Sequence, residues 1–195
     1  IKMIRKKKEI PVFFASDKNY VPYLTVAIKS LVQHTTDRYM YRVFILTNDL
    51  KDEDIPEIKQ CEKSNVKIDI VDVNEKIESI KDRVALRDYY SVSIYFRLFI
   101  PSMFPQYNKA IYLDSDIVIN DDIAKLYNVD IGLNYLGAVL DEVVYSNKDF
   151  VYYVREALDV TEKQYFNSGV LIMNLAKFRR NNIEDDFYNW VNSHD

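Results

Sequence analysis

The sequence predicts an α/β domain with a mostly parallel central sheet flanked by helices. Short apolar β-rich runs recur along the chain, and stretches with apolar residues at helical spacing separate them. No repeat, low-complexity tract or Gly/Ser/Pro-rich linker divides the 195 residues. Strands joined through helices imply parallel pairing with right-handed crossovers, and ligands of such sheets gather at the carboxyl ends of the strands.

The elements follow in order. Residues 1–9 form a basic tail containing KMIRKKK, and residues 10–195 read as one domain. Ile10 to Ala15 is a first strand, in a segment broken by Pro11. Val21, Leu24, Ile28 and Leu31 mark a helix that tolerates Pro22 in its first turn and is capped by Ser16 or Asp17. Tyr41 to Leu50 is a second strand, followed by an amphipathic helix through Ile55, Ile58 and Cys61 or Glu62. Val66 to Asn74 alternates as a third strand. A long helical segment then carries Ile94 and Leu98 on its apolar side and ends at Pro101 and Pro105. After the apolar strand before Asp114, a short capped helix or turn precedes an apolar run from Tyr135 to Glu142. A helix over KDFVYYVREALDV, a buried strand from Tyr165 to Leu175 and a final helix with Ile183, Phe187, Trp190 and Val191 on one side complete the chain.

Composition excludes several functions. Hydrophobic residues make up 48% and charged residues 29%, which is the balance of a folded globular protein. The only glycines are Gly132, Gly137 and Gly169, so neither a dinucleotide fingerprint nor a P-loop can be written. Cys61 is the only cysteine, which rules out an intrachain disulfide and suits a reducing compartment. The expected location is cytoplasmic, with the basic opening as a means of peripheral contact at the inner membrane face. No run has transmembrane length, nothing at the start reads as a secretory signal, and no basic aromatic patch suggests nucleic acid. His34 reads as a partner of a helix C-terminus, and His194 sits next to the chain end.

The chemistry concentrates in KAIYLDSDIVIN, Lys109 to Asn120. Asp114 and Asp116 interrupt an apolar strand, where an unpartnered carboxylate is costly. Residues two apart on a strand share a face, so both acids point one way and Ser115 the other. Hard divalent cations such as Mn²⁺ or Mg²⁺ take oxygen ligands, and two carboxylates can hold one while leaving positions for phosphate oxygens. Two solvated turn acids are the simpler alternative. Arg97, placed among apolar residues, either snorkels to solvent or sits beside an anion. Asp141 ends its apolar run as Asp114 does. The small polar opening Asn167-Ser168-Gly169 lets another group approach the backbone closely, although a plain turn also explains it.

Taken together, FFASDKNY (Phe13 to Tyr20), YFRL (Tyr95 to Leu98), YLDSDIVI (Tyr112 to Ile119), GAVLDE (Gly137 to Glu142) and YFNSGVLIMNL (Tyr165 to Leu175) resemble glycosyltransferase family 8. The nearest likeness is to bacterial lipopolysaccharide galactosyl- and glucosyltransferases, with glycogenin and galactinol synthase more distant. The resemblance implies a GT-A fold and transfer of glucose or galactose from UDP-glucose or UDP-galactose, with retention, to a saccharide or glycolipid acceptor. It also implies Mn²⁺, or Mg²⁺, as cofactor. By position it assigns Ala15, Asp17, Asn19 and Tyr20 to uridine, and Asp114 and Asp116 to the metal, with Ser115 between them in the donor site. It places Arg97 near the sugar and diphosphate, and Asp141, Asn167 and Ser168 on the sugar hydroxyls, with Arg97, Asp141 and Asn167 in catalytic roles. In the family a third metal ligand is a histidine from a His-x-x-Gly segment; His194 does not match it, so the resemblance implies a chain truncated at its C-terminal end. A chain so truncated is expected to bind UDP weakly and transfer sugar poorly. A non-catalytic sugar-nucleotide-binding module is one alternative. A haloacid-dehalogenase-type phosphohydrolase is another, since Asp114-x-Asp116 also fits its paired acids, but that motif normally ends the first strand.

Overall fold

A computed structural model of the chain describes residues 7–81 and 92–193. The basic opening through residue 6, His194 and the Ile94 side chain lie outside the described residues. Six strands form one sheet in the order β3-β2-β1-β4-β6-β5. β1 (Lys8–Ala15) lies between β2 (Tyr39–Thr47) and β4 (Ala110–Leu113), parallel to both, and β3 (Val66–Asp72) pairs parallel with β2. β6 (Val170–Met173) runs antiparallel to β4 and carries β5 (Leu136–Gly137) at the edge. The sheet is thus mostly parallel, as predicted, with β6 reversed. Pro11 does not break β1, because pairing with β4 starts only at Val12 and no second ladder is required at the proline.

Both faces of β1 are buried, which explains its nearly unbroken apolar run. Ile10, Val12 and Phe14 pack on α1 (Val21–Gln33), while Phe13 enters an opposite core with Phe44, Phe96 and Phe99. Phe13 stacks on Phe44 at 4.9 Å and meets the edge of Phe104 at 4.7 Å. In α1, Val21, Leu24, Ile28 and Leu31 are buried at the expected spacing, Pro22 sits in the first turn, and His34 Nδ1 meets the Ser30 carbonyl at 2.8 Å. The cap differs from expectation. Asp17 caps a separate 3-10 turn, Lys18–Tyr20, and the helix follows directly from Tyr20.

Other elements are shorter than their patterns suggest. α2 covers only Ile55–Lys59; Glu62 is drawn out of helical register because its Oε1 accepts the Ile68 N–H of β3 at 2.9 Å. The predicted long helix overlaps only the end of α3 (Asn74–Ile80), which starts where the third strand was expected to finish, and then takes in residues outside the description, a 3-10 turn over Val92–Tyr95 and α4 (Phe96–Met103). Pro101 lies inside α4 rather than ending it. The helix closes two residues later, with Phe104 N–H donating to Ile100 O at 3.0 Å, so the proline removes one bond in the last turn only. The buried face of α4 is Phe96, Phe99 and Ile100, with Leu98 at its margin.

α5 (Ile123–Tyr127) is capped by Asp122, as its sequence suggests. The apolar run after Tyr135 is not a full strand. Only Leu136 and Gly137 pair, a single bridge joins Leu140 to Phe166, and Val139 remains 67% exposed. α6 (Glu142–Ser146) and α7 (Lys148–Leu158) follow, the latter over the predicted segment. Leu175 opens α8 (Leu175–Arg180) instead of closing β6, because Asn174 Oδ1 accepts the Lys177 N–H at 3.1 Å and caps a helix. In α9 (Ile183–Ser193), Ile183, Phe187 and Val191 face the core beside buried Tyr188, whereas Trp190 is half exposed. Among the described residues no helix is long and apolar enough to cross a membrane.

Candidate functional site

The carboxyl ends of β1 and β4 meet where the strand order departs to either side of β1, a topological switch point that leaves a crevice between diverging loops. The cavity there, about 210 Å³, is lined by Ala15, Ser16, Asp17, Tyr20, Ser93, Arg97, Tyr112, Asp114, Ser115 and Asp116. Residues from three distant stretches of sequence therefore share one wall.

Each is placed by a local cause. Asp17 Oδ1 accepts the Asn19 N–H at 2.8 Å, which turns the chain from β1 into the 3-10 turn and presents Tyr20, 46% exposed, at the cavity mouth. The Tyr20 ring leans on Tyr23, centroids 5.6 Å apart. Asn19 itself is exposed and outside the cavity wall. Ser115, buried, donates its hydroxyl to the Ala15 carbonyl at 2.7 Å, so it ties the end of β4 to the end of β1. That bond fixes the spacing between the segment from Ala15 to Tyr20 and the acidic pair.

Asp114 is the most connected of the predicted residues. Its N–H extends the β4–β6 ladder by donating to Gly169 O at 2.8 Å. Its Oδ1 accepts from Tyr112 Oη at 2.9 Å and from Arg97 Nη2 at 3.2 Å. Arg97 also donates through Nη1 to the Ser168 carbonyl at 2.5 Å and lies 4.4 Å over the Tyr112 ring. The arginine is thus beside an anion, with its side chain 16% exposed. Burial pushes the Tyr112 phenol well above its ordinary value, so it stays protonated and donates. Gly169 lets the carboxylate come this close: a Cβ on it would stand 2.6 Å from Asp114 Oδ2. Asp116, by contrast, is exposed and has no hydrogen-bond partner among the described residues.

Asp141, Asn167 and Ser168 are not among the residues that line the cavity. Asn167 N–H donates to Val139 O at 2.9 Å and Asp141 N–H to Tyr165 O at 3.3 Å, which lays the two segments side by side. The side chains are engaged locally. Asp141 Oδ1 accepts the N–H groups of Val143 and Val144, each at 3.1 Å, and caps α6; Asn167 Oδ1 accepts the Gly169 N–H at 2.9 Å. Ser168 is exposed and its carbonyl is the partner of Arg97. Ser16, Ser93 and Tyr112 line the cavity without having been singled out from the sequence. For Tyr112 the signal was available, since it lies two residues before Asp114 on the same strand face.

The donor set fits a hard divalent cation. Asp114 and Asp116 supply oxygen atoms only, both face one cavity, and the absent side chain of Gly169 leaves Asp114 Oδ2 accessible. Among the described residues no group of three His, Cys, Asp or Glu surrounds a common point, so water and ligand oxygens would complete the coordination.

Fold and site together define the class as a GT-A glycosyltransferase fold. Solved structures with this architecture include the bifunctional glycosyltransferase WbbM, 24% identical with a TM-score of 0.82 over 97% of this chain and 35% of that one. The galactosyltransferase LgtC, solved with donor and acceptor sugar analogues, is 26% identical with a TM-score of 0.76 over 95% of this chain and 65% of that one. A Haemophilus influenzae protein provisionally named a glycosyltransferase is 29% identical over 184 residues, 94% of this chain and 54% of the relative. General stress protein A of Bacillus subtilis is 23% identical over 98% of this chain and 65% of its own length. The model of glycosyl transferase family 8 matches residues 11–195, and the chain belongs to that family. It spans between about half and two thirds of the length of these two curated relatives, at 54% and 65%.

Proposed function

We propose that this chain is the nucleotide-sugar-binding part of a retaining hexosyltransferase that moves glucose or galactose from a UDP-sugar to a saccharide or glycolipid acceptor. The observation that carries the proposal is the single cavity at the β1/β4 switch point in which Asp17, Tyr20, Arg97, Asp114 and Asp116 converge, in a chain of family 8.

The residues divide the work by chemistry. Tyr20 offers an exposed ring on which uracil stacks, and Asp17 keeps its second carboxylate oxygen for the uracil N–H. Asp114 and Asp116 would hold Mn²⁺ or Mg²⁺. When bound, such an ion supplies positive charge against the negative charge that develops on the departing diphosphate. Arg97 adds a fixed cation at the same wall, already oriented by Asp114 and Tyr112 before any ligand arrives. As the bond from the anomeric carbon to phosphate breaks, UDP leaves with the electron pair. The acceptor hydroxyl attacks from the same face, and the departing phosphate oxygen takes its proton. Asp141, Asn167 and Ser168 are proposed to read sugar hydroxyls; what supports this is that Ser168 O is held by Arg97 and that the 167 segment runs beside Asp114 through Gly169. The tail expected over residues 1–9 is shorter, since Lys8 and Glu9 belong to β1, and the basic residues ahead of that strand are proposed to give peripheral contact with anionic lipid at the inner membrane face.

Calorimetric titration with UDP, UDP-glucose and UDP-galactose, each with and without Mn²⁺, tests the reading. Mn²⁺-dependent binding that disappears in Asp114→Asn and Asp116→Asn is expected. Binding that ignores Mn²⁺, or that survives both substitutions, refutes the metal assignment. Hydrolysis of p-nitrophenyl phosphate would instead indicate a phosphohydrolase, which the position of Asp114 after a late strand and the family match both oppose.

A further inference from the structure

Asp114 and Asp116 flank one residue, yet the protein treats them differently. Asp116 is exposed, whereas Asp114 is anchored by three hydrogen bonds: Tyr112 Oη at 2.9 Å and Arg97 Nη2 at 3.2 Å donate to its Oδ1, and its own N–H donates to Gly169 O at 2.8 Å. An ionised carboxylate has about two acceptor sites per oxygen. Oδ1 is therefore spent within the protein, and Oδ2 keeps its sites. Oδ2 points past Gly169, where a Cβ would stand 2.6 Å away.

We infer that Tyr112 and Gly169 are positioning residues that make Asp114 a one-oxygen ligand through Oδ2. Tyr112 anchors Oδ1 and sets the carboxylate's rotation, and Gly169 leaves Oδ2 open. The inference rests on the proposed cation site at Asp114 and Asp116, and adds which atom binds and what selects it. It also carries a metal preference. Mg²⁺ requires near-octahedral geometry with single-oxygen ligands, while Ca²⁺ accepts bidentate carboxylates and higher coordination. A carboxylate locked to one free oxygen favours the smaller ions over Ca²⁺.

Titration of Mn²⁺ and of Ca²⁺ into the chain in the presence of UDP, followed by electron paramagnetic resonance for Mn²⁺ and calorimetry for both, tests this in wild type, Tyr112→Phe and Gly169→Ala. Loss of an outer hydrogen bond to a metal ligand weakens metal binding by about 10- to 100-fold, so Tyr112→Phe is expected to lose about tenfold in Mn²⁺ affinity. Ca²⁺ should lose less, because freed Oδ1 offers it a second contact, so the preference for Mn²⁺ falls. UDP affinity without metal should stay within about twofold in Tyr112→Phe, and Gly169→Ala should weaken Mn²⁺ at least as much as Tyr112→Phe. Tyr112→Phe retains the ring under Arg97, which preserves the packing there. Mn²⁺ affinity within about twofold of wild type in Tyr112→Phe, or equal loss for both ions, overturns the positioning role while the cation site stands. A wild-type chain that binds no Mn²⁺ with UDP overturns both.

Discussion

Arg97→Gln tests whether the site is built before ligand arrives. The substitution roughly preserves length and removes the charge, so it deletes the Asp114 ion pair at 3.2 Å, the bond to Ser168 O at 2.5 Å and the cation over the Tyr112 ring at 4.4 Å. Hydrogen bonds to charged groups are worth about 1.5–3 kcal/mol, and fully exposed ion pairs about 0–1 kcal/mol. With side chains 16% and 38% exposed, the pair lies between those limits. After that discount for solvent, about 1–2 kcal/mol is assigned to it. The ring contact adds about 0.5–1 kcal/mol, for a total of about 1.5–3 kcal/mol. In a chain of this size that corresponds to a fall in Tm of roughly 3–12 °C. Urea denaturation followed by circular dichroism, without nucleotide or metal, measures it. A loss below about 0.5 kcal/mol would show that Arg97 is not an organising element of the free site and would leave it only a ligand-binding role.

The remaining predictions concern the frame of the site. Asp122 accepts Tyr41 Oη at 2.7 Å and Thr36 Oγ1 at 3.1 Å while capping α5, so Asp122→Ala should cost about 1–3 kcal/mol in denaturant titrations; a neutral result would show that the shared acceptor contributes nothing. Glu62 is held below the ordinary carboxylate value of 4.5 by the Ile68 N–H first, and also by Lys59 and Lys67. Its unfolded form therefore binds the proton first as pH falls, so its contribution is complete above that value and is lost as pH drops through the folded one. Glu62→Gln should flatten the acid limb of a Tm-versus-pH curve below about pH 4.5, and an unchanged slope would refute the assignment.

Much of the fold was legible because burial on both faces of a parallel sheet leaves a strong local signature. β1, β2 and the strand before Asp114 are apolar runs, the edge strand β3 alternates, and α1 shows its buried face at 21, 24, 28 and 31. Misreadings occurred where a side chain was claimed by a distant backbone group. Glu62 left the α2 register for β3, and Asn174 cut the last strand short to start α8. The run at Val139 and Leu140 shows the opposite failure, apolar residues that the fold does not bury.

The sequence by itself determined which chemistry the chain can perform. Two carboxylates two residues apart at the end of an apolar run, an arginine among apolar residues and a Tyr-bearing turn after a strand are local facts, but β4 ends at Leu113, so the period-two rule does not reach Asp116, and the turn over Ser115 and Asp116 brings it to the cavity. Tertiary structure alone decided which of those groups act together. It gave Arg97 to Asp114 rather than to solvent, made Ser115 a strut to Ala15, and set Gly169 against the Asp114 carboxylate. The reason is physical. Hydrogen bonds at a strand end are assigned by whichever neighbour the sheet order brings within about 3 Å, and an order of β1-β4-β6 is not written in the spacing of any one segment.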